Sequence, residues 1–131
     1  MEENVLSVLK EIRDYLKPKN EVVKEIAKKR FTKNPDGTVT DNKNNLIWYP
    51  TFDKKYNWEE AKEKCREIGG RLPTVDELLG FMEYDKETAS FYWSATEGAA
   101  ADAYDVDFSN GVVYFYYKTY SLYVRAVRTI E

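Results

Sequence analysis

Residues 103–117 read AYDVDFSNGVVYFYY, two runs of alternating side chains around Asn110-Gly111. Asn-Gly between such runs signals a two-residue turn, whose central residues take positive φ and whose twist suits the flanking strands. A turn placed there predicts the pairs Ser109–Val112, Phe108–Val113, Asp107–Tyr114, Val106–Phe115 and Asp105–Tyr116. Period-two alternation then sorts the side chains. Val106, Phe108, Val113 and Phe115 share a face expected to be core, while Asp105, Asp107, Ser109, Val112, Tyr114 and Tyr116 are expected to face solvent. A slip of one residue would bury both aspartates, so the register is well specified.

The hairpin lies inside a longer stretch of unusual composition. Residues 98–122, GAAADAYDVDFSNGVVYFYYKTYSL, contain five tyrosines, no Glu, Gln, Arg, Met, Trp or Pro, and one lysine, Lys118. The rest of the chain is dense in Glu and Lys. Tyrosine offers a large, stiff, amphipathic contact, and Ser, Gly, Asn and Asp add hydrogen bonding and room, which is the composition of an adaptable binding surface. Tyrosine also favours strands, and Asp–Tyr pairs across a hairpin are ordinary. That explanation stops at the hairpin: Gly98 to Asp102 and Tyr117 to Leu122 carry the same composition without strand periodicity.

Working outward, Asn57 with Glu60 and Thr74 with Glu77 form two capping boxes, each opening a helix. The first helix has the stripe Trp58, Ala61, Cys65 and Ile68 and stops at Gly69-Gly70. Cys65 on that stripe reads as a buried, inert thiol. The second helix carries Leu78, Leu79, Phe81 and Met82, and Glu83 to Ser90 reads as a polar loop. Further upstream, Asp36-Gly37 signals a turn before Thr38-Val39-Thr40, and a polar loop precedes Leu46-Ile47-Trp48-Tyr49. Residues 1–29 predict two short helices, the first striped by Val5, Leu9, Ile12 and Leu16, the second capped by Asn20. Packing on the domain is favoured over self-association for the first, whose stripe spans barely two heptads.

Composition excludes several classes. A net charge of -3 and the lack of a large basic block argue against nucleic acid. No apolar run approaches a membrane span and Met1–Lys10 lacks a signal peptide's pattern, so the expectation is a soluble protein, intracellular or on a virion surface. One cysteine and no histidine exclude an internal disulfide framework and an ordinary zinc site. The first-turn carboxylates Glu59, Glu60, Asp76 and Glu77 are explained by the helix dipole, and no nucleophile has a base beside it. No catalytic residue, metal or cofactor is expected.

From Arg30 onward, the stretches RFTKNPDGTVTDNKNNLIWYP, NWEEAKEKC, GGRLPTVDEL, YWSATE, AYDVDFSNG and YVRAVR resemble variable proteins of diversity-generating retroelements, which have the C-type lectin fold. The resemblance implies an α+β, C-type-lectin-like domain at 30–131 with two helices and antiparallel sheets, preceded by a helical extension at 1–29. In such proteins an RNA template is copied with errors at adenines, so Asn codons become many residues between fixed islands. The islands here would be Tyr92 to Glu97, Ala103-Tyr104, Val106, Phe108, Gly111, Val113, Lys118 and Tyr123 to Arg128. The resemblance makes the ligand-binding, diversified positions Gly98, Ala99, Ala100, Ala101, Asp102, Asp105, Asp107, Ser109, Asn110, Val112, Tyr114, Phe115, Tyr116, Tyr117, Thr119, Tyr120, Ser121 and Leu122. Each can be reached by randomising the first two bases of an Asn codon. At Phe115 the two readings differ: alternation places it in the core, the template pattern among the variable residues.

The expected function is a binding module displaying a hypervariable surface to a macromolecular ligand, with a protein expected, anchored by Tyr114, Tyr116, Tyr117 and Tyr120. Asp102, Asp105 and Asp107 would select a basic or hydrogen-bonding partner. The alternatives are a metal-independent carbohydrate-binding lectin and a structural scaffold of a virion or cell surface whose tyrosine face packs on another subunit. Asp105 and Asp107 along one strand make a poor calcium cage. Residues 1–29 are an assembly or attachment element or a packed extension, and the oligomeric state stays open.

Overall fold

A computed structural model describes residues 30–85 and 90–131. The helices expected within 1–29, and the extension they would form, lie outside the described residues. Among the described residues seven strands and two helices follow in the order β1 (Phe31–Lys33), β2 (Val39–Asp41), β3 (Leu46–Trp48), α1 (Trp58–Glu67), α2 (Val75–Phe81), β4 (Phe91–Glu97), β5 (Asp102–Asp107), β6 (Val112–Tyr117) and β7 (Val127–Thr129). They form two antiparallel sheets, β1-β2-β3-β7 and β4-β5-β6. The α+β expectation for this region holds.

Both helices start where their caps place them. Asn57 accepts from the Glu60 amide at 2.9 Å and the Glu60 carboxylate accepts from the Asn57 amide at 3.2 Å. Thr74 and Glu77 make the same reciprocal pair. Trp58, Ala61 and Cys65 are buried along α1. Ile68 departs from the expected stripe: it is the C-cap, one position beyond the last helical turn, and is exposed. Gly69 follows at φ +84°, the left-handed geometry that ends a helix without a Cβ clash.

Two hydrophobic clusters enclose the β4-β5-β6 sheet. Trp48, Phe81, Tyr92, Val106, Phe108 and Val127 belong to one. Trp58, Cys65, Trp93, Ala103, Val124 and Ala126 belong to the other. Successive residues of β4, Tyr92 and Trp93, enter different clusters, as do Ala103 and Val106 of β5. β5 is therefore buried from both faces, whereas β6 is the edge strand.

Candidate functional site

The hairpin forms with a register displaced by two residues from the expected one. Asp107 pairs with Val112, Val106 with Val113, Asp105 with Tyr114, Tyr104 with Phe115, Ala103 with Tyr116 and Asp102 with Tyr117. The connection is four residues long, Phe108 to Gly111, and only Gly111 within it has positive φ, +75°. Side-chain capture explains the longer loop. The Asp107 carboxylate accepts from the Ser109 amide at 2.9 Å and its hydroxyl at 2.7 Å, the Asp107 carbonyl accepts from Gly111 at 2.7 Å, and Asn110 Oδ1 accepts from Val112 at 2.9 Å. These local bonds outcompete the two-residue turn and let Phe108 enter the core.

A shift of two preserves which side chains share a face, but not which of them see water. Asp105 is 0% exposed and Asp107 8% exposed, contrary to the expected outward pair. On the other strand Val113 and Phe115, expected in the core, are exposed, Phe115 at 64%. The cause is strand position: a central strand with core on both faces buries either parity, and an edge strand exposes either parity. Phe115 is thus not in the core, where alternation puts it.

Burial otherwise divides the stretch cleanly. Gly98, Ala99, Ala100, Ala101, Ser109, Asn110, Val112, Tyr114, Phe115, Tyr117, Thr119, Tyr120 and Ser121 are exposed, and Asp102, Tyr116 and Leu122 are half-buried. Among the eighteen candidates only Asp105 and Asp107 are buried. The structure brings most of the others around β6. The rings of Phe91, Tyr114 and Tyr116 lie about one ring apart, Phe91 at 5.9 Å from Tyr114 and 6.0 Å from Tyr116. Tyr120 continues the row, 5.6 Å from Tyr116 and 5.8 Å from Tyr117. On the opposite side of the strand Tyr104 meets Phe115 at 6.1 Å. Ser109 and Asn110 stand apart, beside Leu79, Met82 and Glu83 in a separate cleft. Leu122 turns inward and packs on the second cluster. Phe91 and Tyr104 belong to the aromatic surface without having been singled out in sequence; Phe91 precedes the YWSATE stretch, outside the skewed composition.

Residues flanking the candidate surface hold the framework together. The Trp93 indole donates to the Tyr56 carbonyl at 2.9 Å, and the Ser94 hydroxyl to the Tyr104 carbonyl at 2.7 Å. The Trp58 indole donates to the Ser94 carbonyl at 2.8 Å, tying α1 to β4. Arg125 is buried, donates to the Tyr49 carbonyl and Asp85 carboxylate at 2.7 Å each, and lies over the Phe81 ring. Lys118 pins the 98–101 loop through Glu97 and the Ala100 carbonyl.

Two ionisable groups depart strongly from ordinary behaviour. Burial pushes the Cys65 thiol up to about 12, so it is no nucleophile at neutral pH. Asp105 is raised to about 7, first by burial and then by the neighbouring Asp107 charge, and neither of its oxygens has a hydrogen-bond partner. Among the described residues no three His, Cys, Asp or Glu side chains converge as a metal cluster would require. A cavity of about 510 Å³ lies away from β6 between α1 and β4, and its basic residues Lys62, Arg66 and Arg71 are paired with Glu59, Glu63 and Glu77. No helix among the described residues is long and apolar enough to cross a membrane.

Two capped helices and two short antiparallel sheets are the architecture of the C-type-lectin-like class. Residues 37–128 match the model of the Lcl C-terminal domain, and the chain belongs to that family. Among solved structures it is similar to botrocetin, with a TM-score of 0.59 at 12% identity, covering 74% of this chain and 98% of that one. It is also similar to EMS16, described as an antagonist of collagen receptor integrin alpha2beta1, with a TM-score of 0.52 at 10% identity, covering 77% and 98%. No curated protein matches the sequence. Family and fold bear out the resemblance drawn from the YWSATE and YVRAVR stretches.

Proposed function

We propose that this protein is a ligand-binding module whose edge strand β6, with the loops at 98–102 and 117–121, forms a surface diversified by a retroelement and directed at a protein partner. One observation carries the reading. The positions that the template pattern makes variable are exposed or half-buried in all but two cases, while of the residues it makes fixed Tyr92, Trp93, Ser94, Ala103, Val106 and Phe108 are buried and Ala95, Thr96, Glu97 and Val113 are exposed. Such a division lets many side chains be sampled at little cost to the fold, since exposed substitutions usually change stability by under about 0.5 kcal/mol. Tyr114, Tyr117 and Tyr120 supply rigid amphipathic anchors. The fold neighbour described as an integrin receptor antagonist supports a protein over a small molecule as the class of ligand.

The test is a displayed library randomised at the thirteen exposed positions and panned against a panel of purified proteins. Most members are expected to fold with near-parental melting temperatures, and binders are expected to lose binding when the selected residue at position 114 and Tyr116 are both replaced by alanine. Widespread unfolding, or binders indifferent to that double change, would sink the reading. Diversification itself is checked in the surrounding DNA, where an Asn-codon-rich near-copy beside a reverse transcriptase gene is expected.

One feature favours a second use of the same surface. β6 is an edge strand that carries exposed Val112, Val113, Tyr114, Phe115 and Tyr117, with no lysine or proline to blunt it. Packing of that edge on another subunit would make the face structural. A solution mass above that of one chain, reduced to one chain by Val113→Lys, would establish assembly.

A further inference from the structure

At the end of β6, Phe115, Tyr116, Tyr117 and Tyr120 together with Asp102 line a cavity of about 240 Å³. Four walls are aromatic and the fifth carries a carboxylate. Tyr117 and Tyr120 meet edge to face at 82°, and Tyr116 tilts 53° from Tyr120, so the aromatic walls are set at angles to one another. Phe115, Tyr117 and Tyr120 are exposed, which leaves the cavity open to a partner. Its volume falls below the roughly 300–1,000 Å³ of pockets that enclose a whole small ligand, and suits one long side chain.

Asp102 is fixed in place by its backbone. Its amide donates to the Ala99 carbonyl at 2.9 Å and its carbonyl accepts from Gly98 at 3.0 Å. Among the described residues no side chain pairs with its carboxylate. Lys118, the basic residue of this region, is engaged by Glu97 and the Ala100 carbonyl at 3.0 Å each and lies 4.5 Å over the Trp58 ring. The cavity therefore combines aromatic rings with an uncommitted negative charge, the pairing that attracts an organic cation.

Resting on the ligand-display reading above, we infer that this cavity receives an arginine side chain of the protein ligand, its guanidinium stacked on the tyrosine rings and paired with Asp102. Arginine is preferred to lysine on three counts. Its planar group stacks on rings, it is more weakly hydrated than an ammonium, and its fork of N–H donors matches a carboxylate in two parallel bonds. All five lining residues are positions that the template pattern makes variable, so the pocket is one sample of a repertoire and another member would hold another group.

The experiment titrates acetyl-arginine methylamide, acetyl-lysine methylamide and acetyl-norleucine methylamide into isotope-labelled protein and follows the ring resonances of Tyr116, Tyr117 and Tyr120. The arginine probe is expected to shift all three at millimolar concentration, and to bind about tenfold more tightly than the norleucine probe. Asp102→Asn, which keeps the shape, and Tyr117→Ala, which removes a wall, are each expected to weaken the arginine probe about tenfold. Thr129→Ala, on the other sheet, leaves it unchanged. Equal binding of arginine and norleucine, binding of lysine as tight as arginine, or indifference to Asp102→Asn overturns the assignment. Silence of all three probes overturns the arginine pocket while leaving the display reading standing; the failure of that reading shows separately, as an absence of binders that need β6.

Discussion

The Lys118 ammonium donates to the carbonyl oxygen of Ala100 at 3.0 Å, joining the end of β6 to the loop between β4 and β5. The same ammonium bonds Glu97, and the Lys118 amide donates to the Ala101 carbonyl at 2.8 Å. One cation thus holds a loop whose own side chains, Gly98 to Ala101, are too small to pack. Lys118→Met is expected to destabilise the fold by roughly 1–2 kcal/mol, mostly through the lost charge-assisted bond and ring contact, since the exposed Glu97 pair adds little. Hydrogen exchange at the Gly98 and Asp102 amides should accelerate before any change in the β1-β2-β3-β7 sheet. Unaltered exchange there would show that the loop holds itself.

Cys65 is fully enclosed between α1 and the second core cluster. With the thiol pushed up to about 12, only about one molecule in ten thousand carries a thiolate at pH 8. A colorimetric disulfide reagent is expected to leave the native protein unmodified for as long as it stays folded, and to react at once in denaturant. Cys65→Ser should cost roughly 1–3 kcal/mol, because a hydroxyl replaces sulfur where no water reaches.

What could be read in sequence was what neighbours in sequence decide. The capping boxes at Asn57–Glu60 and Thr74–Glu77 act within one helical turn, and both stand in the structure. Ile68 was misplaced because a stripe does not say where the helix ends. The hairpin shows the larger limit. Alternation correctly groups Asp105 with Tyr114 on one face, but whether that face meets water depends on β4 beside β5 and on the absence of a strand beyond β6. Those are non-local facts, and they reversed the burial of Asp105, Asp107, Val113 and Phe115. Composition does not decide burial either: the same skewed alphabet of residues 98–122 covers the buried Asp105 and Asp107 of β5 and the exposed Tyr114 and Phe115 of β6.

That reversal separates Phe115 from Val106. Both were expected in the core, yet Phe115 is 64% exposed and Val106 is 0% exposed. Phe115→Ala is expected to change unfolding free energy by no more than about 0.5 kcal/mol. Val106→Ala, a smaller truncation, should cost about 2 kcal/mol through lost transfer energy and the cavity it leaves. Urea unfolding of the two variants reads the difference directly. A larger loss at Phe115 would mean that β6 packs against something that covers it.

Asp105 inverts the usual pH dependence of a carboxylate. Most folded-state acids are held below their unfolded value and stabilise a protein as pH rises. Here burial, and then the Asp107 charge, raise the folded value to about 7, above the ordinary 3.8. The folded chain therefore binds the proton more tightly than the unfolded chain throughout the interval between them. Stability from this group is full below about pH 4, falls as pH climbs toward 7, and is lost above it. At about 1.4 kcal/mol for each pH unit, the whole window amounts to roughly 4–5 kcal/mol. Asp105→Asn removes the titration while keeping the shape, so the parent minus the variant isolates this one group from Glu77, which the Arg71 and Thr74 bonds hold below its ordinary value and which acts in the opposite sense at acid pH. The variant should be more stable than the parent at pH 8, and the gap should close toward pH 4. A gap that is constant with pH, or that widens on acidification, would show that Asp105 is charged in the folded protein across the range.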